Sequence, residues 1–280
     1  MKTISILGTG WLGFPLAQHF VLKGHHVKAS TTSENRLSEL RHINAEPFII
    51  DIEQLTDNIR DFLQADILII NIPSKNIDGF RKLAEEVERS NIRNVIFISS
   101  TSVYENTNKT ITEADSEESS RSPLFSIESI FRNSGDFKIT IVRFGGLIGY
   151  NRNPGNFFKK STLISNPDSY VNLIHRDDCV VIISQIVGQE AWGEVFNCCA
   201  DTHPTKKEFY TQAAKSVGGA VPQFAESETR SYKIISNQKV REFLNYEFLH
   251  PDLLKINFDE THNKTFSVGD FVPFHSTKSR

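Results

Sequence analysis

Residues 3–23, TISILGTGWLGFPLAQHFVLK, constrain the fold of this chain more than any other stretch. Ile4, Ile6 and Leu7 predict a short buried strand, and a glycine turn and an amphipathic helix follow. Gly8, Gly10 and Gly13 stand in G-x-G-x-x-G spacing. In that arrangement the first glycine permits the tight turn. The second lets the backbone approach a pyrophosphate, and the third lets helix and strand pack closely. The helix N-terminus then presents free N–H groups and the positive end of its dipole to phosphates. Pro15 sits in the first turn, where a missing N–H costs little. Leu12, Leu16 and Phe20 recur at i, i+4 and i+8, which turns one stripe toward a sheet, and Gly24 closes the helix. The turn Gly8, Thr9, Gly10, Trp11, Leu12, Gly13 is therefore expected to hold a dinucleotide; the competing reading is an ordinary glycine-rich strand–helix turn.

The same alternation continues through the first half. HHVKAST (25–31) predicts a second strand and 35–43 a helix; EPFIID (46–51) predicts a third strand and 59–63 a short helix. ADILIINIP (65–73) is a fourth, very apolar strand, 79–90 a helix charged on its outer face, and NVIFISS (94–100) a fifth strand. Near-continuous apolar runs mark strands covered on both faces, as in a parallel sheet. Repeated strand–helix units with short connections predict a doubly wound α/β fold with its ligand at the carboxyl ends of the strands. KITIVRFGG (138–146) and GEVFNCC (193–199) bring the sheet to about seven strands, with a helix at 178–186 between them.

The end of the second strand bears on which dinucleotide fits. An Asp or Glu there hydrogen-bonds the ribose 2′-OH of NAD. Here the run is Ala29, Ser30, Thr31, Thr32, Ser33, with Lys28 and Arg36 nearby. Thr31, Thr32, Ser33 and Arg36 suit a 2′-phosphate, so NADP is expected, with NAD as the alternative. Glu34 is the competing acid, three residues late; Ser33 could also simply cap the helix that follows.

Ser99-Ser100-Thr101-Ser102-Val103-Tyr104 then adds a second informative run. Further on come Val142-Arg143-Phe144 leading to Gly149, and Leu173-Ile174-His175-Arg176-Asp177-Asp178. With the early glycine turn and the Asp51-Ile52 pair, these residues resemble the extended and atypical short-chain dehydrogenase/reductases, the NAD(P)-dependent epimerase/dehydratase-like superfamily. The resemblance covers nearly the whole chain. It implies a Rossmann-type sheet with a small C-terminal substrate lobe, and it lays Asp51 and Ile52 against the adenine. Ile72, Pro73 and Ser99, at the ends of the fourth and fifth strands, join the expected cofactor contacts. Ser100 takes the position of the hydroxyl that binds and polarises the reacting carbonyl.

The chain departs from that pattern at the acid/base. The resemblance calls for a tyrosine with a lysine four residues later, the lysine's charge lowering the phenol's pKa and its ammonium holding the nicotinamide ribose. Counting back from Glu128 puts Ser120 and Leu124 at those positions, and none of the 6 tyrosines has a lysine four residues on. Tyr104 is the candidate replacement phenol, the alternative being a ring packed beyond the fifth strand. His175, Glu113 and Asp115 are further proton carriers if the fold turns them inward. Their ordinary readings are a residue leading into a helix capped by Asp177, and a solvated loop.

Residues 105–122, ENTNKTITEADSEESSRS, offer only Ile111 and Ala114 as apolar surface, which predicts a lid or a disordered segment over the reactive end. The expected domains are 1–150, the dinucleotide-binding core, and 151–280, which completes the core at about 173–200 and forms the lobe from about 151–172 and 201–270. Arg152 matches a position that often faces the cleft and is expected to bind a substrate phosphate or carboxylate; an exposed loop arginine is the alternative. A helix ends the stretch 233–244, and the tail HSTKSR is expected to fray.

Composition narrows the partners. Net charge is -3, and the lysine pairs at 159–160 and 206–207 read as solvated surface, so no nucleic-acid footprint is expected. Cys179, Cys198 and Cys199 lack metal-ligand spacing with histidines and read as reduced, buried thiols, with no metal expected. No signal-peptide pattern or membrane-length apolar run is present, which predicts a cytoplasmic protein. The residues carry no reading of oligomeric state. The expectation is an NAD(P)-binding oxidoreductase or epimerase/dehydratase-like protein acting on a small polar or sugar-like molecule. The alternative is a non-catalytic dinucleotide-binding or redox-sensing protein; a hydroxyacid-type dehydrogenase is disfavoured by the strands at 138–146 and 193–199.

Overall fold

In a strand, successive side chains point to opposite faces, so an unbroken apolar run must be covered twice. Ile67 and Ile69 pack with the first face of the central sheet and Leu68 and Ile70 with the second, all four fully buried. The computed structural model describes residues 1–158, 161–226, 231–256 and 258; the expectations for the lysine pair at 159–160 and for the tail lie outside these.

The first half runs β1 (Thr3–Leu7), α1 (Gly13–Leu22), β2 (His26–Thr31), α2 (Leu37–His42), β3 (Glu46–Ile49), α3 (Asn58–Phe62), β4 (Ile67–Ile70), α4 (Ile77–Glu88) and β5 (Asn94–Ser100). The chain continues through β6 (Thr110–Ile111), α5 (Pro123–Arg132), β7 (Lys138–Phe144), β8 (Gly146–Ile148), β9 (Leu163–Ile164), β10 (Leu173–His175) and α6 (Arg176–Gln189). It closes with β11 (Val195–Cys198), α7 (Lys206–Ser216), β12 (Gln223–Phe224), β13 (Ile234–Ile235) and α8 (Gln238–Leu244). Seven strands form one parallel sheet in the order β11-β7-β5-β4-β1-β2-β3. The order reverses at β1, so the crevice for a ligand opens at the carboxyl end of β1, between its neighbours β4 and β2.

One face of the sheet is covered by α1, α6 and α8 through residues such as Leu16, Phe20, Ile182, Ile186 and Leu244. The other is covered by α3, α4 and α5 through Phe62, Phe80, Leu83, Ile127 and Phe131. Phe97 stacks on Phe131 with ring centroids 5.7 Å apart, and Phe80 meets both rings edge-on. This is the doubly wound α/β architecture expected. Most boundaries shift by one to three residues, and two shifts bear on the site: β3 ends at Ile49, before Asp51, and α6 is longer than 178–186 because His175, not Asp177, is its cap. The His175 ring accepts from the Asp177 N–H at 3.3 Å, and Asp177 lies within the first turn.

Residues 105–122 dock on the rest of the chain, which corrects the expectation of disorder. Ile111 is fully buried, and β6 pairs in parallel with β13. Tyr104 bridges Glu118, and the Glu118 carboxylate reaches the buried Arg143 guanidinium at 2.6 Å. Glu113 accepts the Asn197 N–H at 2.7 Å, and burial pushes its carboxyl above the ordinary range. The segment is polar because much of it stays exposed, while Ile111 packs with Val103, Tyr104, Cys199 and Ile235 and the Glu113 and Glu118 carboxylates meet polar partners.

Past β7 the described segments make short two-stranded pairings, β8 with β10 and β9 with β12, and α7 packs over Ile148, Val171 and Leu253. Thr205 and Glu208 form a complete capping box at the start of α7. The three cysteines are free and buried, and burial pushes the Cys199 thiol up to about 12.

Candidate functional site

The glycine turn lies at the carboxyl end of β1. Gly8 has φ of +94°, and a Cβ there would come within 2.5 Å of the Asn71 carbonyl oxygen. Gly13 presses α1 against the Gly8 carbonyl, so a side chain there would collide with backbone. Gly10 differs from both: it is exposed, and a Cβ would meet nothing within 4 Å. Two glycines thus serve packing and the middle one leaves open space before the N-terminus of α1, which has no acidic residue in its first turn. That cradle fits an anionic pyrophosphate.

β2 holds the turn in place. The Gly8 N–H donates to Ser30 Oγ at 2.9 Å, and the Thr9 N–H and hydroxyl both donate to the Ser30 carbonyl. Thr9 is therefore turned inward. Beyond β2, Thr31 Oγ1 accepts from the Ser33 N–H at 3.1 Å, and Thr32 is exposed. Ser33 makes no side-chain cap to the following turn. Arg36 donates from Nη1 to the Thr9 carbonyl at 2.8 Å and from Nε to Glu39 at 3.2 Å, which fixes its guanidinium beside the glycine turn. Lys28 does not join it: the side chain is buried and bonds the Asp61 carbonyl. Asp51 is exposed at the end of β3, where its Oδ1 accepts the Glu53 N–H at 2.9 Å. Ile52 is buried, Ile72 half-buried and Pro73 exposed.

Arg152 is brought to the rim of the turn, its guanidinium 4.3 Å from the Trp11 ring centroid, while Trp11 Nε1 donates to Asn151 Oδ1 at 2.5 Å. Arg176, which sequence reasoning passed over, lies 3.5 Å above the Tyr150 ring and 5.1 Å from that of Trp11. Its place at the start of α6, two residues before the Asp178 anchor, was the available signal.

At the carboxyl end of β5 the serine run divides. Ser99 is buried and donates to Glu128 Oε1 at 2.5 Å, so it faces α5. Ser100 is half-buried and its Oγ accepts the Ser102 N–H at 3.1 Å, which leaves its O–H to donate. Tyr104 is only 3% exposed; its hydroxyl donates to Asn197 Oδ1 at 2.9 Å and accepts from Arg143 at 2.6 Å. Burial pushes its phenol pKa up, against the pull of Arg143. That geometry is a ring locked into a buried network, and the network reserves the phenol. Arg143 completes it with a two-pronged pair to Glu128, Nε–Oε1 3.0 Å and Nη2–Oε2 2.6 Å. Asp115 turns outward, accepting the Thr112 N–H and hydroxyl.

The His-Arg-Asp-Asp run also serves structure. His175 is buried against Gly149, and burial pushes its imidazole down to about 3. Asp177 accepts the Tyr150 hydroxyl at 2.8 Å and lies within 4 Å of both His175 and His250. Asp178 accepts the Tyr246 hydroxyl and the Leu249 and His250 N–H groups, anchoring the segment after α8. His175, Asp177 and His250 are close enough to hold a metal ion, a juxtaposition that their separation in sequence conceals. Among the described residues no helix is long and apolar enough to cross a membrane.

Comparison with known proteins agrees with this geometry. The profile of a family described as NAD(P)H-binding matches residues 8–182. Protein YeeZ of Escherichia coli K12 is 30% identical over 272 residues, covering 91% of this chain and 98% of its own. The UDP-glucuronic acid 4-epimerase of Bacillus cereus, solved with NAD, superposes with a TM-score of 0.74 at 18% identity, over 93% of this chain and 94% of that one. MoeE5 solved with UDP-glucose and NAD gives 0.74 at 15% identity, over 92% and 98%. A functionally unknown conserved protein of Silicibacter pomeroyi gives 0.73 at 17%, over 91% and 96%. The chain belongs to the NAD(P)H-binding family.

Proposed function

We propose that this protein is an NADP-preferring oxidoreductase or epimerase/dehydratase-like enzyme acting on a small polar, sugar-like molecule. The observation that carries the preference is Arg36, whose guanidinium is held at the Thr9 carbonyl and which follows the run Thr31, Thr32, Ser33 by three residues. No carboxylate stands at the end of β2; Glu39 reaches Arg36 from the solvent side and is 56% exposed, so a 2′-phosphate competes for the guanidinium with a screened partner. The backbone from Gly8 to Gly13 would hold the pyrophosphate, Asp51 and Ile52 the adenine end, and Ile72 and Pro73 would line the crevice beyond, while Ser99, turned to Glu128, is corrected from cofactor contact to a tie between β5 and α5. The bound cofactor supplies hydride transfer. Ser100 donates its hydroxyl to the reacting oxygen, and Arg152 holds an anionic group of the substrate. The described residues within 151–172 and 201–258 would form the substrate lobe; the remainder of the expected range to 270 lies outside the described residues. The superposed B. cereus epimerase and MoeE5 have been solved with UDP-sugars, which supports a sugar-like substrate here.

A second reading is a non-catalytic dinucleotide-binding or redox-sensing protein, favoured by the engagement of the Tyr104 hydroxyl with Arg143 and Asn197. Turnover of any carbonyl or alcohol substrate excludes it. The preference is tested by Arg36→Ala. Loss of one charge-assisted contact of about 1.5–3 kcal/mol should weaken NADPH binding by roughly tenfold or more and leave NADH unchanged. Equal affinity of wild type and variant for NADPH would remove the 2′-phosphate assignment.

A further inference from the structure

A dinucleotide laid with its pyrophosphate on the glycine turn and its adenosine over β2 and β3 must extend its other half along the carboxyl edge toward β4 and β5. At that end α5 carries no cation to meet it, since Leu124 stands where the resemblance calls for lysine. A lysine does reach the place, from far along the chain. β13 pairs with β6, Ile234 opposite Thr110 and Ile235 opposite Ile111, and residue 233 directly precedes that pairing. Asn172 clamps the backbone on both sides, donating to the Lys233 carbonyl at 3.0 Å and accepting the Ile235 N–H at 2.8 Å.

The Lys233 ammonium donates to the Tyr104 carbonyl just past β5, and its titratable neighbour is the Cys199 thiol just past β11. Cys199 in turn packs at Gly145, the residue after β7, where an added Cβ would lie 2.9 Å from its sulfur. The ammonium therefore stands over the carboxyl ends of β5, β7 and β11. Leu124 and Phe125 pack against the same small cluster of Val103, Tyr104, Ile111, Cys199 and Ile235. The α5 position that lacks the lysine and the side chain of Lys233 thus share one neighbourhood.

The chemistry of the group points to a ligand. An ammonium has three donors and one is used by the Tyr104 carbonyl. Lys233 is half-buried, and among the described residues no carboxylate lies within 4 Å of it; burial lowers its pKa. A half-buried cation without a counter-ion is stabilised by any oxygen-rich group that enters beside it. We infer that Lys233 binds the nicotinamide-ribose half of the cofactor, supplying from the C-terminal segment the cation that α5 lacks. This rests on the dinucleotide reading above.

The test compares whole cofactor with its adenine half. Calorimetric titration of wild type, Lys233→Met and Lys233→Arg with NADPH and with 2′,5′-ADP should show the Met variant weakened roughly tenfold for NADPH only, with partial recovery in the Arg variant. NADH and ADP form a parallel pair, so cofactor preference does not affect the outcome. Acetic anhydride labelling of the wild type, read by mass spectrometry, should show Lys233 protected by NADPH or NADH and not by 2′,5′-ADP or ADP; this stands if the Met variant does not fold. Cofactor that binds without protecting Lys233, and binds the Met variant as tightly as wild type, overturns the inference and leaves the dinucleotide reading intact. Failure of every nucleotide to bind the wild type overturns both.

Discussion

His19, on the inner face of α1, places Nε2 2.9 Å from the Ser184 hydroxyl of α6, and burial pushes its imidazole down to about 4. The neighbouring Lys23 and His25 add to that depression. A histidine whose folded pKa lies below its unfolded value gives stability that is fully present above about 6.5 and is lost as pH falls toward about 4, because the unfolded chain takes up the proton first. His175 acts with the same sign. Asp178 acts with the opposite sign: burial raises its carboxyl to about 6, so its contribution is present at low pH and lost as pH rises through that value. Each pKa unit is worth about 1.4 kcal/mol, so His19 accounts for on the order of 3–4 kcal/mol of the stability lost on acidification. His19→Gln should flatten the fall in urea midpoint between pH 6.5 and 4.5. An unchanged slope would mean that His19 takes up its proton as readily in the folded chain as in the unfolded one.

Between elements, the strongest tie near the site is electrostatic. Glu128 of α5 accepts from Ser99 of β5 and from two nitrogens of Arg143 on β7, and neither Glu128 nor Arg143 is exposed. Removing one charge of such a pair leaves the other buried and poorly compensated, a cost of about 3–5 kcal/mol. Glu128→Gln should lower the urea midpoint by a matching amount while retaining the fold's circular dichroism; a change under about 1 kcal/mol would show that Glu118 and Tyr104 satisfy Arg143 alone. The helices and central strands were legible because their apolar periodicity records contact with a sheet. Residues 105–122 were not, because the side chains that dock them are the carboxylates Glu113 and Glu118, which read as solvated until Arg143 and the Asn197 N–H are found opposite. Lys233 was hidden for the same reason: its partner, the Tyr104 carbonyl, lies 129 residues away.

At the scale of the molecule, the parallel pairing of β1, β2, β4 and β5 brings their carboxyl ends, where most of the cofactor candidates stand, to one edge of the sheet. The glycine turn, Arg36 and the β5 serines could be read from sequence because the turn geometry admits few residue types. Their division of labour could not: Ser99 faces α5, Tyr104 is taken up by Arg143, and Arg152 meets Trp11. The central claim is that this edge binds a nicotinamide dinucleotide with preference for the phosphorylated form. Calorimetric titration with NADPH and NADH, on wild type and Gly10→Asp, tests it most directly. A Cβ at Gly10 meets nothing within 4 Å, so the variant should fold while its carboxylate repels the pyrophosphate. The account predicts one-to-one binding, tighter for NADPH, that is lost in Gly10→Asp; a folded wild type that binds neither form would contradict it.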